Sequence, residues 1–363
     1  MFYLKDKPNH LMKHSLYISF FLILIMSCSD TTTKKKKKDL PEAFGKEGKI
    51  IVVLEENLRE NEVYKNLKKV LEYPQAGLLE KENSLLIATT IPNTYFNTFK
   101  THKRILIPII LKEYSTNFDA VKKSINSVNI QTAKEKGIFF TTIKNQFAYG
   151  QTISYLIARD LKTYNDFLIE KGKVLRKKFE ELEIKNSIES LKKHAINKKI
   201  VNIIEKKFNA NLLITSKFKV ALDTTNFIWL RQYEAEKDLN IFIHKTNNFP
   251  NSITKKNITI LRNRLGKNYI FGNKKDKTSY MITESEIPLS LETIKINNID
   301  TKQCRGVWRL NNYMMGGCFI SHTFHLNKET YYIEAFLENP GKKKVKELRK
   351  LESILRTFKK LDN

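Results

Sequence analysis

Short apolar runs and longer amphipathic stretches alternate along this chain, and their spacing predicts its elements. Lys49–Leu54 (KIIVVL), Ser84–Ala88, Arg104–Leu111 (RILIPIIL) and Gly137–Ile143 (GIFFTTI) are brief and rich in β-branched residues, the mark of buried strands. Pro108 has no amide hydrogen to donate, so its strand is expected at an edge or bulged there. Glu60–Tyr73 sets Val63, Leu67, Val70 and Leu71 on one side, which is helical spacing. From Tyr149 to Leu182 apolar residues recur at Ile153, Leu156, Ile157, Leu161, Tyr164, Phe167, Leu168, Leu175, Phe179 and Leu182, which predicts a long helix with Gly172 as a place to bend. After Asn186-Ser187 a second helix is expected to Phe208, with Ile188, Leu191, Ala195, Ile196, Ile200, Ile203 and Ile204 in one stripe.

Beyond these helices strands dominate. Leu212–Val220 alternates, with Ile214, Phe218 and Val220 on one face. Asn226–Tyr233 and Asn240–His244 follow as antiparallel neighbours would. Ser252–Leu265 reads as a helix ended by Gly266. Gly306–Leu310, Gly317–Leu326 and Thr330–Glu338 predict a three-stranded meander, then a turn at Asn339-Pro340-Gly341. The last helix, Lys342–Phe358, buries Val345, Leu348, Leu351, Ile354, Leu355 and Phe358. Strands grouped before a covering helix predict an α+β fold. Its sheets should be mostly antiparallel and covered by helices, in two sub-domains joined by long helices: 48–184, an α/β half with the long helix, and 185–363, an α+β half ending in a helix.

The N-terminus follows another pattern. Leu16–Met26 (LYISFFLILIM) is apolar apart from Ser19, about half the roughly 20 residues a membrane-crossing helix needs. Lys5, Lys7 and Lys13 precede it and Ser27-Cys28 follows, the layout of a secretory signal peptide over 1–27. Met1 or Met12 serves equally as its start. Ile25-Met26-Ser27-Cys28 resembles the lipobox of bacterial lipoproteins, which implies cleavage before Cys28 and acylation of its thiol. Residues 28–47 then read as a lipidated tether. Its lysines, Lys34–Lys38, either hold it against anionic headgroups or simply keep it solvated.

The net charge of +27 suggests a nucleic-acid partner at first sight. An exported protein does not meet the chromosome, and the lysines are dispersed rather than gathered in one stripe, so no nucleic acid is expected. Apolar content of 41% with 22 Phe and 15 Tyr indicates an ordered body. Cys304 and Cys318 flank a strand–turn–strand segment. A turn centred on Asn311 would set them opposite each other as a cross-strand disulfide; two buried free thiols are the other reading.

Candidate chemistry is sparse. There is no P-loop, HExxH, GxSxG or Cys/His metal spacing, so no catalytic residue, cofactor or metal is assigned. His322 and His325 are three apart on a predicted strand and should face opposite sides. Glu284 and Glu286 could share a strand face as paired carboxylates, or be solvated surface. Met315-Gly316-Gly317 permits a close backbone approach. It reads either as a turn over a packed Trp308, or as a binding groove formed with Trp308, Arg309 and Tyr313.

NFIWLR (Asn226–Arg231), SYMITE (Ser279–Glu284), RGVWRLNNYMMGGCFISHTF and YIEAFLENPGKKKVKELRKLESILRTF resemble an uncharacterised lipoprotein family of Bacteroidota, the domain of unknown function numbered four-eight-three-seven. FGKEGKIIVVL (Phe44–Leu54) fits the family's start, so the likeness spans nearly the whole mature chain. Cys318 departs from its pattern, where a non-thiol residue is expected. The resemblance implies a lipoprotein and a two-part body, and brings no reaction, cofactor or catalytic residue. The expectation is a lipid-anchored envelope lipoprotein, in the outer membrane and facing the periplasm. Its role would be non-enzymatic binding or structure, with an envelope protein, glycan or lipid as partner. An envelope hydrolase with an unrecognised active site and a lipid-ligand carrier are the alternatives.

Overall fold

The computed structural model describes residues 40–59, 61–113, 125, 127–273 and 275–361. The expected signal peptide, Cys28 and most of the tether lie outside these residues. The chain is α+β, built on two large sheets.

The first sheet has the order β2-β1-β3-β5-β4. Its strands are β1 (Lys49–Leu54), β2 (Leu86–Pro92), β3 (Arg104–Ile110), β4 (Ile138–Lys144) and β5 (Thr152–Ala158). The first four in that order run parallel, and β4 is an antiparallel edge. Parallel strands need both faces covered, which is why β1, β3 and β5 are near-continuous apolar runs. Helix α1 (Glu62–Leu71) and the first turns of α3 (Leu161–Lys192) cover one face with Val63, Leu67, Tyr164, Leu168 and Phe179. Helix α2 (Ser127–Lys136) and Phe96 pack on the other.

Three expectations change here. The helical spacing read from Tyr149 ends in strand β5 as far as Ala158. That strand is buried on both faces, where apolar periodicity does not separate helix from strand. Pro108 lies in an interior strand, but the β1 ladder stops at Val52–Leu106, so its missing amide interrupts no pairing with β1. Helix α3 runs unbroken past Asn186-Ser187, and a division at 184–185 falls inside it. The Asn186 side chain donates back to the Leu182 carbonyl at 2.6 Å, a bond made within the helix. Gly172 serves close packing, since a Cβ there would sit 2.7 Å from Val70 of α1.

The second sheet is antiparallel, in the order β10-β11-β13-β14-β15-β9-β8-β7 with β12 paired to β13. It comprises β7 (Lys219–Thr224), β8 (Phe227–Glu234), β9 (Lys237–Thr246), β10 (Phe271–Asn273), β11 (Asp276–Thr283), β12 (Ser290–Ile296), β13 (Ile299–Leu310), β14 (Gly316–Leu326) and β15 (Glu329–Glu338). The predicted meander is β13–β14–β15, and β6 (Ala210–Asn211) pairs with β16 (Lys359–Lys360) in a separate two-stranded ladder. Between Leu212 and Phe218 the chain buries Leu212, Ile214 and Phe218 without pairing as a strand, which shifts the expected strand to β7. Helices α4 (Lys198–Phe208) and α6 (Val345–Leu355) cover one face of the sheet, and α5 (Lys255–Tyr269) covers the other. Gly266 sits within α5 rather than ending it. A Cβ there would meet the Met281 carbonyl at 2.0 Å, so glycine lets the helix lie on β11.

Helix α3 faces the first sheet on one side and α6 on the other, so α3 and α6 form the seam between the two sheets.

Candidate functional site

The meander disperses the residues of the groove reading. Trp308 and Arg309 are neighbours in β13, so their side chains leave opposite faces of the sheet. Trp308 is only 4% exposed, donates its indole N–H to the Leu337 carbonyl at 3.3 Å and meets Phe336 edge-on. It is core, not rim. Cβ atoms on Gly316 and Gly317 would stand 2.5 Å from the Trp308 carbonyl and 1.9 Å from the Leu337 carbonyl. These glycines therefore serve strand packing. Arg309 pairs with Glu284 at 3.0 Å, and Tyr313 is exposed at the hairpin tip. The Met315 carbonyl accepts the Leu310 amide and closes the turn. Glu286 donates its amide to the Glu284 carboxylate, so the two acids form a local turn rather than an open pair.

The register also decides the thiols. Cys304 is opposite Ser321 and Cys318 is opposite Val307, because the turn is centred beyond Asn311. The two side chains enter the cores on opposite faces of the sheet, Cys304 under α5 and Cys318 under α6. Both are free and buried, which corrects the disulfide reading. Burial pushes each thiol up to about 12, so neither is a ready nucleophile.

Charge converges instead at the seam. Helix α3 brings Lys177, Glu180 and Glu181; β12 and β13 bring Glu292, Gln303 and Arg305; α6 and its C-cap bring Arg349, Glu352 and Arg356. Together they line a cleft of about 290 Å³. Arg305 Nη2 lies 2.5 Å from Glu352 Oε2, and both side chains are almost wholly buried. Arg356 bridges Glu352 at 3.4 Å and Glu181 at 2.6 Å, which ties α6 to α3. Lys177 pairs with Glu292, and Gln303 donates to the other Glu292 oxygen at 2.9 Å. Burial pulls the Glu292 carboxyl up, but the Lys177 ammonium outweighs it and leaves the group below its ordinary value.

The relay ends on His322. Gln303 uses its amide N–H on Glu292, so its oxygen takes the His322 Nε2 hydrogen at 3.0 Å. His322 Nδ1 is buried without a hydrogen-bond partner. Burial, then Arg356 and Arg305, hold this imidazole well below its ordinary range, so it is neutral at neutral pH. His325 is exposed on the opposite face, as the strand period predicts. Among the described residues no group of three or more His, Cys, Asp and Glu could hold a metal ion.

Two further contacts cross the seam. Arg349 donates to the Ser84 carbonyl, and the Glu82 carboxylate accepts the amides that open α6. The sequence pattern overlooked this cluster. Arg349, Glu352 and Arg356 follow the apolar stripe at helical spacing and read as solvated until α3 is placed against them.

Residues 197–357, which hold the whole second sheet, match the model of a domain of unknown function, DUF4837. The second half of the chain is thus similar to DUF4837. Residues 43–192 match a separate domain of unknown function, DUF8532. The likeness expected across the mature chain is thus confined to the second half, and Phe44–Leu54 falls in DUF8532. The two matches part between α3 and α4. No curated protein matches the chain. Among solved structures, a protein from Bacteroides thetaiotaomicron shows 10% identity and a TM-score of 0.26, over 42% of this chain and 46% of that one. The chain thus spans less than half the length of that protein. A mutant of Mog1 shows 7% identity and a TM-score of 0.30, over 43% of this chain and 92% of that one. The Saccharomyces cerevisiae Ran-binding protein Mog1p shows 7% and 0.29, over 42% and 91%. Likenesses of this size carry no functional argument.

Proposed function

We propose that this protein is a lipid-anchored lipoprotein of the cell envelope, held by acylated Cys28 in the outer membrane and facing the periplasm. Its role is non-enzymatic: the two-part body binds a charged segment of an envelope protein in the seam cleft. The anchor rests on the sequence from Lys5 to Cys28. The observation that carries the binding role is the lining of the cleft, where carboxylates and cations alternate and, among the described residues, no aromatic ring is present. Such a surface offers no aromatic platform for a sugar ring, and its apolar side chains, Ile184, Ile294, Val345 and Leu348, are interspersed with charges. Charged side chains of a partner can exchange with the pairs already there, such as Lys177–Glu292 at the part-exposed end.

Two measurements test this. The mass of the N-terminal peptide from membrane-extracted protein should show a chain starting at Cys28 with acyl mass; an unprocessed or unlipidated terminus overturns the anchor. A photoreactive residue at Lys295, exposed at the cleft rim, should crosslink one protein in cells, and Glu292→Lys should abolish that product. Recovery of only abundant bystanders, or of a lipid or glycan adduct, overturns the binding role.

A further inference from the structure

The end of the first sheet where β1, β3 and β5 begin gathers exposed aromatic and basic side chains from three separate segments. Residues 41–44 are pinned there. Tyr149 donates its amide to the Pro41 carbonyl at 2.8 Å and accepts the Ala43 amide at 2.9 Å. The Lys103 amide donates to the Phe44 carbonyl at 2.7 Å. This fixes Phe44 and Tyr149 at the same end, 52% and 42% exposed. The Phe44 ring stands edge-on to His102, which is buried. Lys46 and Lys103 are exposed beside them, and Lys144 is exposed at the end of β4, next to the start of β5. Lys100 lies over the Phe147 ring. Glu42 and Glu47 share this end, so the lysines outnumber the acids.

We infer that this face lies on the membrane surface, its aromatics at the headgroup level and its lysines on anionic lipid. For its orientation the inference rests on the lipid-anchored reading above. Even fully extended, the chain from Cys28 to Leu40 reaches only about 40 Å, and Leu40 leads straight into the pinned segment. An acyl chain at Cys28 therefore keeps this end of the body within about 40 Å of the bilayer. Tyr149, with an apolar ring and a polar hydroxyl, suits the headgroup level, the exposed Phe44 ring beside it adds apolar surface, and surface lysines are attracted to anionic headgroups. The two features coincide on the one face that the anchor would present.

The test uses the chain from residue 28 with Cys28→Ser, so that no lipid contributes. It should sediment with vesicles of equal parts phosphatidylcholine and phosphatidylglycerol more than with phosphatidylcholine alone. Lys46→Gln, Lys103→Gln and Lys144→Gln together should lower the partition coefficient about a hundredfold at low salt, at about fivefold per lysine. The Lys34–Lys38 run is kept in every variant. In parallel, Phe44→Trp should be quenched by brominated lipid, whereas Ile260→Trp, on α5 at the far side of the second sheet, should not. Equal partition of the triple variant, equal binding to both vesicle types, or equal quenching at the two sites overturns the inference. Thermal melting of each variant confirms that it is folded. The anchor and the face fail separately, because the peptide mass reports the first and the unlipidated chain reports the second.

Discussion

Glu82 of the first half caps a helix of the second: its carboxylate accepts the Lys344 amide at 2.9 Å and the Val345 amide at 3.2 Å, at the N-terminus of α6. The first amides of a helix have no partner within it, and a carboxylate there also meets the positive end of the helix dipole. Glu82→Ala should therefore cost about 1 kcal/mol, the usual worth of an N-cap, and Glu82→Gln less. Denaturant unfolding measures the loss, and hydrogen exchange at Lys344 and Val345 should speed up first. Unchanged exchange at both amides would show that the cap contributes nothing.

The Arg305–Glu352 pair behaves differently. Removing one partner leaves a buried charge alone, so Glu352→Ala should cost about 3 kcal/mol, while Arg305→Met with Glu352→Leu should be nearly neutral. Because Glu352 also meets Arg356, a double-mutant cycle should show coupling to both arginines. Additive costs in that cycle would refute a connected seam.

Two glycines separate packing from backbone strain. Gly317→Ala drives a Cβ into the Leu337 carbonyl, with the strand unable to move away, and should cost about 3 kcal/mol. Gly150 has φ +79° but open space around its Cβ position, so Gly150→Ala should cost about 1 kcal/mol. Melting temperatures of the two variants would check the order, and the reverse order would contradict the meander register.

Cys304 and Cys318 should resist alkylation at pH 8 in the native state and react fully once unfolded. Both thiols are buried and far above their ordinary ionisation range. Intact-protein mass before and after denaturation counts them. A species lacking two hydrogens would restore the disulfide.

Acid should destabilise the protein through its histidines before its carboxylates titrate. Burial lowers His322 well below 6.5, and lowers His102 and His244 as well. The unfolded chain then binds more protons than the folded one below about pH 6.5. Stability is present in full above that value and falls as pH drops toward the folded values, by up to about 1.4 kcal/mol per pH unit for each such histidine. Unfolding free energies between pH 7 and pH 5 measure the slope, and His322→Gln should make it shallower. An unchanged slope in that variant would mean that His322 protonates equally in both states.

Much of the fold was legible from spacing. The strands β1 and β3, the helix of Val63, Leu67 and Leu71, the β13–β14–β15 meander and the last helix all follow from apolar positions, because each buries one face or two against a local neighbour. The pattern misled where a strand buried on both faces runs almost directly into a helix: Thr152–Ala158 has the apolar content of a helix and the environment of a central parallel strand. Of the two readings of the Met315–Gly317 turn, the groove with Trp308, Arg309 and Tyr313 does not form, for a related reason. Strand alternation sends neighbours to opposite faces, and only the partner strands show which face is core.

Sequence alone determined where most of the helices and strands form, which helical faces are apolar, and the signal-like run that ends at Cys28. These depend on near neighbours in the chain and on burial, which side-chain period records. Tertiary structure decided which charges meet. Lys177, Glu292, Gln303 and His322 are far apart in sequence and carry no shared period, and each taken singly looks solvated. They become a relay only because α3 packs against α6 beside β12 and β13, where losing water makes every carboxylate and cation take a partner.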